Sequence, residues 1–203
     1  MQPRVLLLGD SICSSPGYSF GSGGYAPLVT VRLRAQGIAV DYYRASGWTT
    51  RHFLELLAAG ELRTGADIIH FNVGLHDIAR HDEEGECAVP LEEYARNLQA
   101  IVERLRAGPP VELVWASTTP VLDERHRREK RFIRRDADVR DYNRAAAAVM
   151  RELHVAEHDL YQAVMRAGVE EAIGPDGVHP TEAGREVLAA AVSDLVAEKL
   201  GGR

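Results

Sequence analysis

Cysteine is scarce: Cys13 and Cys87 are the only two in 203 residues. Two thiols cannot supply the disulfide framework of a small secreted fold. Aromatic residues make up only 6% of the chain and the net charge is −6. A nucleic-acid binder would ordinarily be basic, with aromatic residues placed for base stacking, so the composition argues against nucleic acid as a partner. Long apolar runs are missing too. Runs such as Val5–Leu8 are far short of the roughly 18–20 residues that cross a bilayer. The stretch before Gly9 has one basic residue and a four-residue apolar run, shorter than the ~7–15-residue core of a signal peptide. The expectation is a protein without membrane insertion, located in the cytoplasm. Lysine is nearly absent, with Lys130 and Lys199 the only two among 24 basic residues. That bias reflects genome composition more than chemistry. No internal repeat or low-complexity linker occurs.

What remains is a chain with 45% hydrophobic residues, enough to bury a core. At ~100–200 residues per domain, residues 1–203 read as a single domain. Short apolar runs alternate with longer stretches of helical period. Strands are expected at Arg4–Leu8, Ile38–Tyr43, Asp67–Val73, Val111–Ser117 and, more weakly, Val155–Leu160. Helices are expected at Tyr25–Gln36, Thr50–Ala59, Leu91–Ala107, Val139–Leu153 and Thr181–Leu200, with charged loop over 120–135 and Gly/Ser-rich loop over 9–24. Strands that alternate with helices of this length imply crossover connections. The fold class is therefore α/β: a three-layer α/β/α sandwich with a parallel sheet of about five strands, flavodoxin-like in architecture.

Ligands of such sheets sit at the carboxyl ends of the strands. After the first strand come Gly9, Asp10 and Ser11; after the second, Ser46, Gly47 and Trp48; after the third, Gly74, Leu75, His76 and Asp77. Asp176-Gly177-Val178-His179-Pro180 precedes the last helix. A Ser, an Asp and a His thus reach one edge of the sheet. A hydroxyl becomes nucleophilic when an imidazole takes its proton and a third group holds the imidazole. The Asp-x-x-His spacing can place Asp176 on one ring nitrogen of His179 and leave the other for Ser11. Pro180 can then open the last helix.

These residues resemble the SGNH hydrolase superfamily, the GDSL esterases and lipases, from Leu8 to the final helix. Gly9-Asp10-Ser11-Ile12 is similar to the first block of the family, with Ser11 as nucleophile. Gly47 sits where the second block has its oxyanion-hole glycine. Asp176 and His179 correspond to the last block. The third block usually reads Gly-x-Asn-Asp, and this chain reads Gly74-Leu75-His76-Asp77. The resemblance therefore implies an oxyanion hole of Ser11, Gly47 and a side chain. A neutral imidazole can donate one N–H, so His76 fits the role; Asn72 is the other side-chain donor within reach of the strand end. The implied activity is hydrolysis of a carboxylic ester through an acyl-enzyme, with no cofactor and no metal. Its first substrate class is a short acyl, such as acetyl, on a sugar or small metabolite. Lysophospholipase, thioesterase or acyltransferase chemistry would use the same triad.

Other patterns compete. Gly17-Tyr18-Ser19-Phe20-Gly21 matches a nucleophile elbow, but no strand ends directly before it and no helix follows directly after, as that motif requires. The glycines at 17, 21, 23 and 24 lack the dinucleotide and phosphate-loop spacings, so a non-enzymatic flavodoxin-like binding module is the weaker reading. His70, His76, His81, Asp77, Asp82 and Cys87 offer metal-ligand types, which would suit a metal-dependent hydrolase. Residues 124–135 carry seven Lys/Arg and two Glu. This is either a solvated excursion or a rim that attracts an anionic ester, with Phe132-Ile133 as an apolar edge over the acyl group. Asp10 is expected to order its loop by accepting backbone N–H groups. Cys13 reads as small core, Trp48 as pocket wall or core, and Tyr142 and Asn143 as helix packing.

Overall fold

The computed structural model describes residues 2–14, 23–43, 46–62 and 64–202. Ser19 and its Gly-x-Ser-x-Gly pattern lie outside them. Five strands form one sheet: β1 (Arg4–Leu8), β2 (Ala39–Tyr42), β3 (Ile68–Phe71), β4 (Glu112–Ala116) and β5 (Ala156–His158), in the order β2-β1-β3-β4-β5. All pairings are parallel, with Val5 opposite both Val40 and Ile68. Hydrophobic run length places each strand. Val5–Leu8 and Ile68–Phe71 are buried throughout and sit centrally, whereas β2 and β5 expose Asp41 and Glu157 at the edges. Parallel sheets covered on both faces need central strands that are mostly apolar, and His70 is the one polar residue of β3; polar, short edges resist further pairing.

The helices are α1 (Ser11–Ser14), α2 (Ala26–Arg34), α3 (Thr50–Ala58), α4 (Leu91–Arg106), α5 (Asp123–Glu129), α6 (Asp136–Glu152), α7 (Leu160–Ala167), α8 (Val169–Ala172) and α9 (Glu182–Gly201). α3, α4 and α6 pack together, and α2, α7, α8 and α9 form a second group. α4 shows why it forms: Tyr94, Leu98, Ile101, Val102 and Leu105 bury one stripe, with acids in the first turn and arginines in the last. Both end charges complement the helix dipole. No helix of the described residues is long and apolar enough to cross a membrane.

Three expectations need correction. The 9–24 loop contains α1, which opens at Ser11 itself. The 120–135 segment is not all loop, since α5 occupies its middle. The last helix does not open on Pro180. Thr181 is its cap, accepting from the Gly184 N–H at 3.1 Å, while Pro180 pairs back with Ile173. A hydroxyl cap satisfies an orphan amide that proline cannot.

Candidate active site

β1 delivers Gly9-Asp10-Ser11 to the carboxyl edge of the sheet beside β3, where the direction of crossover changes. Asp10 is fully buried; its Oδ1 accepts the Ile12 N–H at 2.9 Å and its backbone carbonyl accepts the Ser14 N–H at 3.0 Å. It orders the first turn after the strand, as expected. Burial pushes its carboxyl up, against the Ile12 bond and the Arg134 charge.

Asp176 folds its own loop. Its Oδ1 accepts the Val178 and His179 backbone N–H groups at 3.1 and 2.9 Å, and its Oδ2 accepts the His179 Nδ1–H at 2.5 Å. Burial would raise this carboxyl, but the three donors outweigh it and hold the pKa at about 2. With Nδ1 protonated, Nε2 of His179 is an acceptor, and the Ser11 hydroxyl lies 2.9 Å from it. Ser11, Asp176 and His179, chosen from the sequence, are thus brought together. All three are buried, so little water competes for their bonds.

Residues 74–77 follow the carboxyl end of β3, beside β1. Gly74 has φ +149°, and a Cβ there would stand 2.8 Å from Thr118 Oγ1 and 3.0 Å from Tyr94 Oη. Only glycine lets the chain turn so close to the end of β4. Asp77 accepts from the Thr50 backbone N–H at 3.0 Å and from the Thr50 hydroxyl at 2.5 Å. It therefore ties the β3 end to the start of α3. Burial pushes the Asp77 carboxyl up to about 6 despite those bonds. Gly47 lies in the connection that leads into α3, at φ +78° and exposed to solvent. That backbone region favours glycine.

His76 and Asn72 separate clearly. Asn72 donates its amide N–H to the Ala116 carbonyl at 2.8 Å, a strut between β3 and β4. That bond takes one of the two N–H groups of the amide. His76 accepts at Nδ1 from the Arg134 guanidinium at 3.1 Å, and its Nε2 is buried without a partner among the described residues. Burial, Arg134 and His179 together lower its pKa to about 3, so the ring is neutral at neutral pH.

The basic segment is tied down more than its composition suggests. Arg125 pairs with Glu170, and both Arg127 and Arg135 pair with Glu83. Leu122 N–H donates to the Gly177 carbonyl at 2.8 Å, and His126 reaches the Asp176 carbonyl at 3.3 Å. At its other end Ile133 pairs with Arg80, and Arg134 meets His76. The segment joins the loop of Asp176 and His179 to the loop of His76. No local sequence signal marks Arg134 or His126 for this; each acts across 50 or more residues. Beside His76 lies a cavity of about 250 Å³ lined by Ala79, Arg80, His81, Ala88, Phe132 and Arg134.

The proposed metal ligands scatter. His70 is buried in β3 and its ring meets His158 at 3.0 Å, while Asp77 is spent on Thr50. Among the described residues no group of three His, Cys, Asp or Glu is placed to hold an ion. Trp48 packs on Phe53 with ring centres 5.4 Å apart. Tyr142 donates to the Val89 carbonyl, and Asn143 exchanges two bonds with the Thr118 backbone; both fasten α6, as expected. Cys13 is buried and its thiol is pushed up to about 12 by desolvation.

Comparison with known proteins places these features in context. The sequence profile of the GDSL-like Lipase/Acylhydrolase family matches residues 7–187. An isoamyl acetate-hydrolyzing esterase 1 homolog of Rattus norvegicus is 30% identical over 199 residues, covering 92% of this chain and 78% of that protein. The lipase/acylhydrolase from Enterococcus faecalis superposes with a TM-score of 0.78 at 20% identity, over 97% of this chain and 96% of the other. Axe2, an acetylxylan esterase from Geobacillus stearothermophilus, gives 0.68 at 22% identity, over 94% and 92%.

Proposed function

This chain belongs to the GDSL-like lipase/acylhydrolase family, and from that premise we propose that it is a serine esterase which removes a short acyl group, acetyl first, from a sugar or other small alcohol. The observation that carries the reading is the relay from Asp176 Oδ2 through His179 to Ser11 Oγ, with steps of 2.5 and 2.9 Å. His179 Nε2 takes the Ser11 proton as Oγ attacks the ester carbonyl. Asp176, ionised at any pH above about 2, holds the ring and stabilises the imidazolium. The negative oxygen of the tetrahedral intermediate is met by the Ser11 and Gly47 backbone N–H groups and by His76 Nε2–H. His179 then protonates the departing alkoxide. Water, deprotonated by the same nitrogen, releases the acid and frees Ser11.

The short acyl is supported by size. A cavity of about 250 Å³ lies below the ~300–1,000 Å³ of pockets for drug-sized ligands. Its Ala79, Ala88 and Phe132 lining suits a small apolar substituent. The rat relative and Axe2 bear names that refer to acetate esters, which points the same way. A cytoplasmic site is supported by the free thiols of Cys13 and Cys87. An anionic substrate has thinner support, because three of the seven cations at 124–135 are paired with Glu83 or Glu170 and Arg134 is buried.

A series of p-nitrophenyl esters from acetate to octanoate tests the acyl length; kcat/KM is expected to peak at acetate or propionate. A maximum at octanoate would favour the lysophospholipase class instead. A fluorophosphonate should add its phosphoryl group to Ser11, read by peptide mass spectrometry. Labelling at Ser19 would overturn the triad.

A further inference from the structure

The sequence departs from its family at His76, and the structure supplies a partner for that departure. An imidazole is an ambiguous donor. Its single neutral proton sits on either nitrogen, and a second proton makes it a cation. An asparagine amide has neither ambiguity, since its N–H₂ is always a donor. A histidine in the oxyanion wall therefore needs something to choose its tautomer.

We propose that Arg134 is the positioning residue that makes this choice, fixing His76 with its proton on Nε2 and aiming that N–H at the oxyanion. The inference rests on the reading of His76 as the third oxyanion donor. Arginine has five N–H groups and no acceptor. Where its Nη2 meets His76 Nδ1 at 3.1 Å, the ring nitrogen contributes a lone pair, and the proton of the neutral ring must be on Nε2. The same guanidinium donates from Nε to the Leu75 carbonyl at 2.7 Å. One planar fork thus grips both the backbone before His76 and its ring. A lysine, with one point charge, cannot hold both in fixed relation.

The fork is itself held. Arg134 is only 3% exposed, and its guanidinium lies 4.7 Å from the centre of the Phe132 ring. The Ile133–Arg80 pairing fixes the chain just before it. The buried His76 Nε2 without a partner among the described residues is the complement of this arrangement. A buried donor left unmet costs free energy, and in a site it marks where an acceptor is to arrive. Arg134 also keeps a second proton off the ring by its charge, so the donor stays neutral beside His179 when that residue becomes an imidazolium.

Two measurements test the proposal. The first needs no variant of Arg134: in the full-length protein with ¹⁵N-labelled histidine rings, long-range proton–nitrogen correlation at neutral pH should show His76 as the Nε2–H tautomer. The signal is assigned by its loss in His76→Asn. An Nδ1–H tautomer or an imidazolium would overturn the proposal, whether or not Arg134 variants fold. The second is a cycle on p-nitrophenyl acetate. Arg134→Gln should lower kcat about 10- to 100-fold with KM little changed when His76 is present, and less than about threefold in a His76→Asn background. Arg134→Lys should recover only part of the loss. Equal losses in both backgrounds would reduce Arg134 to a structural residue. If His76→Ala alone leaves kcat unchanged, the oxyanion reading of His76 fails first. If His76→Ala is slow but the tautomer or the cycle disagrees, Arg134 alone is misassigned.

Discussion

On one side of Ser11, Asp176 and His179 lie three residues apart in a single loop, and Asp176 accepts from Val178, from the His179 backbone and from the His179 ring. On the other side, the polar wall is assembled from distant segments: His76 is held by Arg134, 58 residues away, and Asp77 holds Thr50, 27 residues back. The side of Asp176 and His179 is prefigured by local backbone geometry and can be read as a spacing. The side of His76 and Asp77 depends on tertiary packing between distant segments.

The comparison predicts unequal costs. Asp176→Asn, which keeps the loop's shape but would favour the wrong His179 tautomer, should reduce kcat by about 10⁴-fold, measured on p-nitrophenyl acetate. Loss below tenfold would mean that the loop, not the charge, orients the imidazole. His76→Ala should reduce kcat by about 10²–10³-fold with KM nearly unchanged, and His76→Asn should restore most of it. Asp77→Ala strips the α3 start of its carboxylate partner and should lower stability by about 1–3 kcal/mol in chemical denaturation, with a smaller effect on catalysis than His76→Ala.

The smallest effect is on acid stability. The folded-state pKa of His76, at about 3, lies below the ordinary 6.5. Between those values the unfolded chain binds the proton more readily, so this group destabilises the fold as pH falls below about 6.5. Asp77, raised to about 6, acts in the opposite sense over part of that range. Wild type should therefore lose on the order of 1–2 kcal/mol more than His76→Asn between pH 7 and pH 5. Parallel pH curves for the two proteins would show that the imidazole is not held neutral.

Much of the architecture was readable because period and run length carry it. The bounds of β1 match the expectation, and α3 and α4 start at Thr50 and Leu91, as expected. α7 and α8 were not foreseen: the expected strand Val155–Leu160 ran across Asp159, which ends β5 at His158 and caps α7 by accepting the Gln162 N–H. α5 was hidden by charge, since a helix with six ionic residues and one histidine among seven has no apolar stripe. In the site, Ser11, Asp176 and His179 were visible from placement at strand ends and from a three-residue spacing. Arg134 was not, because a buried arginine in a basic run looks like its solvated neighbours until the fold brings Leu75 and His76 to it.

The central claim is that Ser11 is the nucleophile of an ester hydrolase, and the most direct measurement is turnover of p-nitrophenyl acetate by Ser11→Ala beside Ser19→Ala. Loss of about 10⁴-fold or more in kcat/KM for Ser11→Ala with its thermal midpoint preserved, and near wild-type turnover for Ser19→Ala, is the predicted result. Persistence of activity in Ser11→Ala, with loss in Ser19→Ala, would contradict it.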